Sequence, residues 1–223
     1  MNGWLYTLLF LALGYFVLVN VMLVLSVRKM SHPEGLIKSR DDEGQSLNDS
    51  FHHWVREQGF QPDSHFDFYG ILGSDKPLEV SAWLSPERDI LLLLYRFGNK
   101  QWLDMASSFD DHYGLVSSNF HDALILPQPP NVMLQVFVDM EPDALYQEHL
   151  KSRDYLIERF GINPDKVDVP VTQLVATAIK RQMHYIRSLP LWFLRGAGWK
   201  LFRGWRYRNK SVIELIESLP NDR

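Results

Sequence analysis

The sequence predicts an α+β domain carried on one transmembrane helix, and three observations lead there. A charge-free run from Trp4 to Val27 stands near the N-terminus. Short apolar segments separated by turn residues fill the stretch from Phe66 to Met140. Segments with apolar residues three and four apart flank that stretch on both sides, the spacing of helices that bury one stripe.

The first run, WLYTLLFLALGYFVLVNVMLVLSV, contains 15 residues that are Leu, Val or Phe. As an α-helix it would extend about 36 Å, enough to cross a hydrocarbon core of about 30 Å. Only Met1–Gly3 precede it and no A-x-A-like pair closes it, so a retained anchor is expected rather than a cleaved signal peptide. Arg28, Lys29, Lys38 and Arg40 follow the run and no basic residue precedes it. Basic flanks stay on the cytoplasmic side, which predicts an outer N-terminus and a cytoplasmic remainder at the cell's inner membrane. Trp4 and Tyr6 suit an interfacial belt. Asn20 could hydrogen-bond a neighbouring helix.

The expected organisation is an anchor over residues 1–29, a juxtamembrane linker over 30–45, a soluble domain over 46–168 and a basic amphipathic helical region over 169–223. Ser46–Gln58 reads as a helix with Leu47, Phe51, Trp54 and Val55 on one stripe, Ser46 and Asp49 in capping-box spacing and Gly59 as its stop. Six strands follow: Phe66–Leu72, Leu78–Leu84, Ile90–Phe97, Gln101–Ser108, Gly114–Ser118 and Val132–Val138. Their short separators imply antiparallel neighbours. Ile90–Tyr95 is continuously apolar and should lie centrally, and Gly98-Asn99 suits a tight hairpin. Pro142 opens a helix to Phe160, with Leu145, Leu156 and Phe160 on its core side and Gly161 as its end. This helix and the N-terminal one should cover one face of the sheet.

Beyond the NPDKVDVP segment, Val171–Leu189 has an apolar face of Leu174, Val175, Ala178, Ile179, Ile186 and Leu189, opposite Lys180, His184 and Arg187. Pro190 interrupts it. On a helical wheel Leu191, Leu194, Ala197, Leu201, Phe202 and Trp205 then gather opposite Arg195, Lys200, Arg203 and Arg206, with three glycines weakening the helix. Ser211–Leu219 can form a last short helix.

Charge is unevenly spread. Asp41–Asp168 holds 23 acidic and 9 basic residues, whereas Val169–Val212 holds 9 basic and no acidic ones. On a tethered chain, a basic stretch rich in Trp suits a helix lying in the bilayer interface over anionic headgroups. Arg195, Trp199, Lys200, Arg203, Trp205 and Arg206 are therefore the expected membrane-surface residues, and nucleic acid is not an expected partner. Packing of this stretch on the domain is the competing reading.

No reactive motif stands out. With no cysteine, disulfides, cysteine-held zinc and thiol catalysis are excluded. The eight histidines include Asp110-Asp111-His112 and His121-Asp122, yet no H-E-x-x-H or EF-hand pattern frames them. Ser117-Ser118-Asn119 lacks a nucleophile elbow, and no base is evident beside it. The prolines at 127, 129 and 130 suit a rigid inter-strand loop more than a docking segment. The expectation is a non-catalytic membrane protein, without cofactor, whose cytoplasmic domain binds or scaffolds a protein partner. The alternatives are a metal-dependent hydrolase using His112 and His121, and a lipid-headgroup-binding module.

Overall fold

In the computed structural model, which describes residues 3–40, 49–110 and 113–218, the chain is α+β, with a long apolar helix leading into a seven-stranded mixed sheet. The first helix, α1 (Gly3–Met30), has a segment Trp4–Met30 long and apolar enough to cross a membrane by length and composition. Arg28 and Lys29 occupy its last turn, where cations complement the helix dipole, and Ser31 Oγ donates to Val27 O at 2.6 Å.

Part of the expected 30–45 linker is structured. Pro33–Gly35 forms a 3₁₀ turn, and β1 (Ile37–Arg40) joins the sheet edge. Its Lys38 and Arg40 suit an edge strand, where charge discourages further pairing. Next come α2 (Asp49–Glu57), β2 (Gln61–Phe68), β3 (Leu78–Leu84), β4 (Leu91–Phe97), β5 (Lys100–Phe109), β6 (Tyr113–Ser118) and β7 (Val132–Val136). The strands lie side by side in sequence order, which makes β4 central. Ser46, and with it the expected capping box and the start of the expected first helix, lies outside the described residues.

Two differences from expectation have clear causes. β2 begins five residues before the expected Phe66. Its polar QPDSH start resembles a turn, but β3 pairs with it, and an irregularity between Pro62 and Ser64 absorbs the proline. β7 runs parallel to β6, not antiparallel. The connection over 119–131 is long enough to carry the chain back across the sheet and includes a 3₁₀ turn at His121–Leu124. The β4–β5 hairpin turns on Gly98-Asn99, with Gly98 at φ +63° as a tight turn demands.

Both faces of the sheet are covered. On one, Phe51 and Val55 of α2 and Leu145 of α3 (Pro142–Phe160) pack on Trp83, Leu92, Leu94, Leu103 and Met105. On the other, Val171, Leu174 and Val175 of α4 (Val171–Ser188) meet Val80, Ala82, Leu91 and Leu93. Burial on both sides is why β4 reads as an unbroken apolar run. α3 has the expected bounds and ends at Gly161 (φ +66°), but Phe160 is 55% exposed. His149 and Ser152 take the buried stripe with Leu145 and Leu156 instead.

After α4 the chain does not form one amphipathic helix. Leu191 adopts φ +51°, a 3₁₀ turn spans Trp192–Leu194, and residues 196–207 pass from α through a π stretch at Trp199–Arg203 and back to α. The chain then returns to the sheet: Asn209 N–H donates to Val136 O at 2.8 Å. A short helix, Val212–Glu217, closes the described chain with a complete Ser211/Glu214 capping box.

Candidate functional site

Of the expected apolar stripe Leu191, Leu194, Ala197, Leu201, Phe202 and Trp205, only Ala197 is buried. The rest face outward, Trp205 at 87% exposure. The segment is held in place through its backbone, against α1. Gly196 N–H donates to Asn20 Oδ1 at 2.8 Å, while Asn20 Nδ2 donates to Phe16 O at 2.8 Å. Asn20 is buried and paired on both sides, so it is a docking residue rather than a tolerated interruption.

Glycine at 196 is what permits the approach. A Cβ there would stand 3.1 Å from Leu23 Cβ and 3.2 Å from Asn20 Oδ1, tighter than ordinary contact. Below this junction Leu23 and Val27 of α1 pack with Met183 and Ile186 of α4, joined by Trp192 and Trp199. The segment thus meets α1 through Trp192, Gly196 and Trp199, while its other apolar side chains, Ala197 excepted, face outward.

The six residues expected at a membrane surface divide into two groups. Arg195, Lys200, Trp205 and Arg206 are exposed. Trp199 is half-buried against the α1 cluster, and Arg203 is half-buried with Nε donating to Leu124 O at 3.1 Å. The guanidinium groups of Arg203 and Arg206 lie 5.3 and 5.5 Å from the Tyr207 ring centre, within cation–π range.

The histidine and serine candidates settle differently. His121 pairs with its neighbour Asp122 at 2.7 Å, in the open; His112 and Asp111 lie outside the described residues. Asp110 Oδ2 accepts from Asn163 N and Nδ2, clamping the end of β5. Among the described residues no group of three or more His, Asp or Glu could hold a metal ion.

Contrary to the reading of the sequence, a base does stand beside Ser117. His149 Nδ1 is 2.8 Å from Ser117 Oγ, and its Nε2 is 3.0 Å from Ser107 Oγ. Gln135 Nε2 donates to Ser117 Oγ, so the Ser117 proton is free for Nδ1 and the imidazole donates through Nε2 to Ser107. Gln135 Oε1 accepts from Ser152 Oγ and Val212 N–H. Ser107, Ser117, Gln135, His149 and Ser152 are all buried, and burial pushes the imidazole down to about 3, so it stays neutral. A dyad without access to solvent has no substrate to meet. This network ties β5, β6, β7, α3 and the last helix together.

A second buried group escaped the sequence reading. Asp104 on β5 lies on the α4 side of the sheet, where it lines a cavity of about 420 Å³. Its Oδ1 is closed to solvent and has no hydrogen-bond partner among the described residues. Desolvation pushes the carboxyl up to about 6, with hydrogen bonds from Ser118 and Tyr95 pulling the other way. Burial and the Asp104 charge hold the Tyr95 phenol well above its ordinary value, so it remains a donor. Tyr95 stacks on Trp102 at 5.5 Å, and Trp102 on Phe120 at 4.3 Å.

Strand alternation was a usable signal for Asp104: it shares a face with Trp102 and Ala106 in a strand flanked on both sides. His149 follows Leu145 by four residues and precedes Leu156 by seven, on the same helical stripe. In comparisons with known proteins, no family model, no curated protein and no solved structure matches this chain.

Proposed function

We propose that this chain is a single-pass membrane protein whose domain is seated on the cytoplasmic face of the inner membrane by two contacts. α1 spans the bilayer with its N-terminus outside. The 191–206 segment lies in the interface beside it, Leu201, Phe202 and Trp205 among the acyl chains and Arg195, Lys200 and Arg206 toward anionic headgroups. Three exposed cations at about 1 kcal/mol each supplement the apolar insertion. The protein acts without catalysis, binding a protein partner through the acidic 41–168 region.

The observation that carries this reading is the junction of Asn20 and Gly196. A segment hydrogen-bonded to Asn20, in the last third of the charge-free run Trp4–Val27, shares whatever medium surrounds that end of the run. The same junction supports a retained anchor, since cleavage after α1 would strip Leu23 and Val27 from Met183 and Ile186.

Intact mass of the purified full-length protein tests retention: 26.1 kDa is expected, and loss of the α1 residues would overturn it. Trypsin added to intact spheroplasts tests sidedness. The domain should survive until lysis, and cutting beforehand would overturn the orientation.

A further inference from the structure

The cavity between α4 and the sheet changes character along the helix. Its volume, about 420 Å³, falls within the roughly 300–1,000 Å³ of small-molecule sites. Near the start of α4, Leu174 and Val175 wall an apolar floor of Val80, Leu91, Leu93 and Ala106. Further along, the lining turns polar, with Thr177, Arg181 and Gln182 on α4 and Gln128 on the connection between β6 and β7. Gln182 Nε2 donates to Pro127 O at 3.3 Å, so helix and connection adjoin at this end.

Two observations specify an occupant. Thr177 and Gln182 spend their donors inside the protein, Thr177 Oγ1 on Gln173 O at 2.8 Å and Gln182 on Pro127. Half-buried Gln128 and exposed Arg181 have no side-chain partner among the described residues. The same end is also basic. Pro129, Thr177 and Arg181 border a second hollow of about 460 Å³, whose lining adds Lys180 and His184. α4 carries no acidic residue, and Glu34 pairs with Lys180 at 3.2 Å, which leaves the Arg181 charge unanswered among the described residues.

We propose that this cavity binds one long-chain carboxylate, its apolar chain laid over the sheet and its head held at the α4 rim by the Arg181 guanidinium and the Gln128 amide. The planar guanidinium matches the two oxygens of a carboxylate, and such charge-assisted hydrogen bonds are about twice as strong as neutral ones. Asp104 borders the cavity too, but its Oδ1 is closed to solvent and Tyr95 and Ser118 hold the carboxyl, so it serves the sheet and not the ligand. The proposal stands on the cavity and not on the seating described above.

The test uses the full chain in nanodiscs of phosphatidylcholine, which adds no net anionic headgroup, and a diazirine-bearing long-chain fatty acid, with labelled peptides mapped by mass spectrometry. Label is expected on residues 91–106 and 174–182. Dodecanoate should displace it, with dodecanol and dodecylamine about tenfold weaker or more at matched bilayer concentration. Arg181→Gln, a change at an exposed position, should lower labelling about tenfold while leaving labelling by a diazirine-bearing long-chain alcohol unchanged. Ala106→Phe should lower labelling by both probes by filling the floor.

Label confined to residues 3–30 and 191–205 would overturn the cavity site, as would undiminished labelling of folded Ala106→Phe. Equal competition by dodecanol, or a folded Arg181→Gln protein labelled by the fatty acid as strongly as wild type, would overturn the carboxylate head.

Discussion

Asp104→Asn should make the protein more stable at pH 7.5 and leave it nearly unchanged at pH 4. The folded-state pKa, about 6, lies above the ordinary 3.8, so folding opposes ionisation of this carboxyl. The folded chain holds the proton more tightly, and stability falls as pH rises between those two values. Above pH 7 the penalty is complete, about 3 kcal/mol at about 1.4 kcal/mol per pKa unit. Asparagine keeps the shape and an acceptor without the charge. For a chain of this size the gain corresponds to roughly 6–12 °C in Tm at pH 7.5. Thermal unfolding of both proteins in nanodiscs at pH 4.0, 5.5 and 7.5 reads the difference directly, because other titrating groups cancel. An Asp104→Asn variant no more stable than wild type at pH 7.5 would refute the account of Asp104 as a desolvated carboxylate.

The His149 network gives the opposite pH signature. Its folded pKa is depressed from 6.5 to about 3, so stability falls as pH drops below 6.5; a His149→Gln variant should show a flatter acid limb in the same unfolding series. Ser117→Val leaves Gln135 Nε2 and His149 Nδ1 without that hydroxyl and should cost about 1–3 kcal/mol by denaturant unfolding. Gly196→Val forces a side chain onto Leu23 and Asn20 and should free the 191–207 segment, read as faster tryptic cutting at Arg195, Lys200 and Arg206 while the sheet stays folded. Replacing those three cations with Gln should abolish any deepening of the segment when anionic lipid is added, and should leave its position in neutral lipid unchanged.

Much of the sheet was legible because its signals are local. β3 to β6 announce themselves by apolar runs between turns, α3 by Pro142 and Gly161, and the central place of β4 by its two-sided burial. β1 and the start of β2 were not legible, since IKSR and QPDSH carry no apolar pattern and exist as strands only through their neighbours. The parallel β7 was hidden by a crossover whose prolines read as a simple loop. The candidate site was legible in composition but not in geometry. Basic and aromatic residues at 191–206 are plain in the sequence, yet their docking on α1 depends on a bond between residues 176 positions apart. A helical wheel assumes a continuous helix, and this segment changes its hydrogen-bonding pattern along its length to bring Gly196 against Leu23. The wheel gathered these side chains on one face of a continuous helix, whereas they project from a 3₁₀ turn and an α–π–α stretch.

The central claim, that 191–206 sits in the interface beside α1, is open to one direct measurement. The native chain has no cysteine, so Trp205→Cys takes a single spin label, and power-saturation EPR in nanodiscs compares its collisions with oxygen and with a water-soluble nickel chelate. The account predicts strong oxygen and weak nickel relaxation at 205, with the reverse at a Lys151→Cys control on the exposed side of α3. Strong nickel relaxation at 205, equal to that of the control, would contradict it.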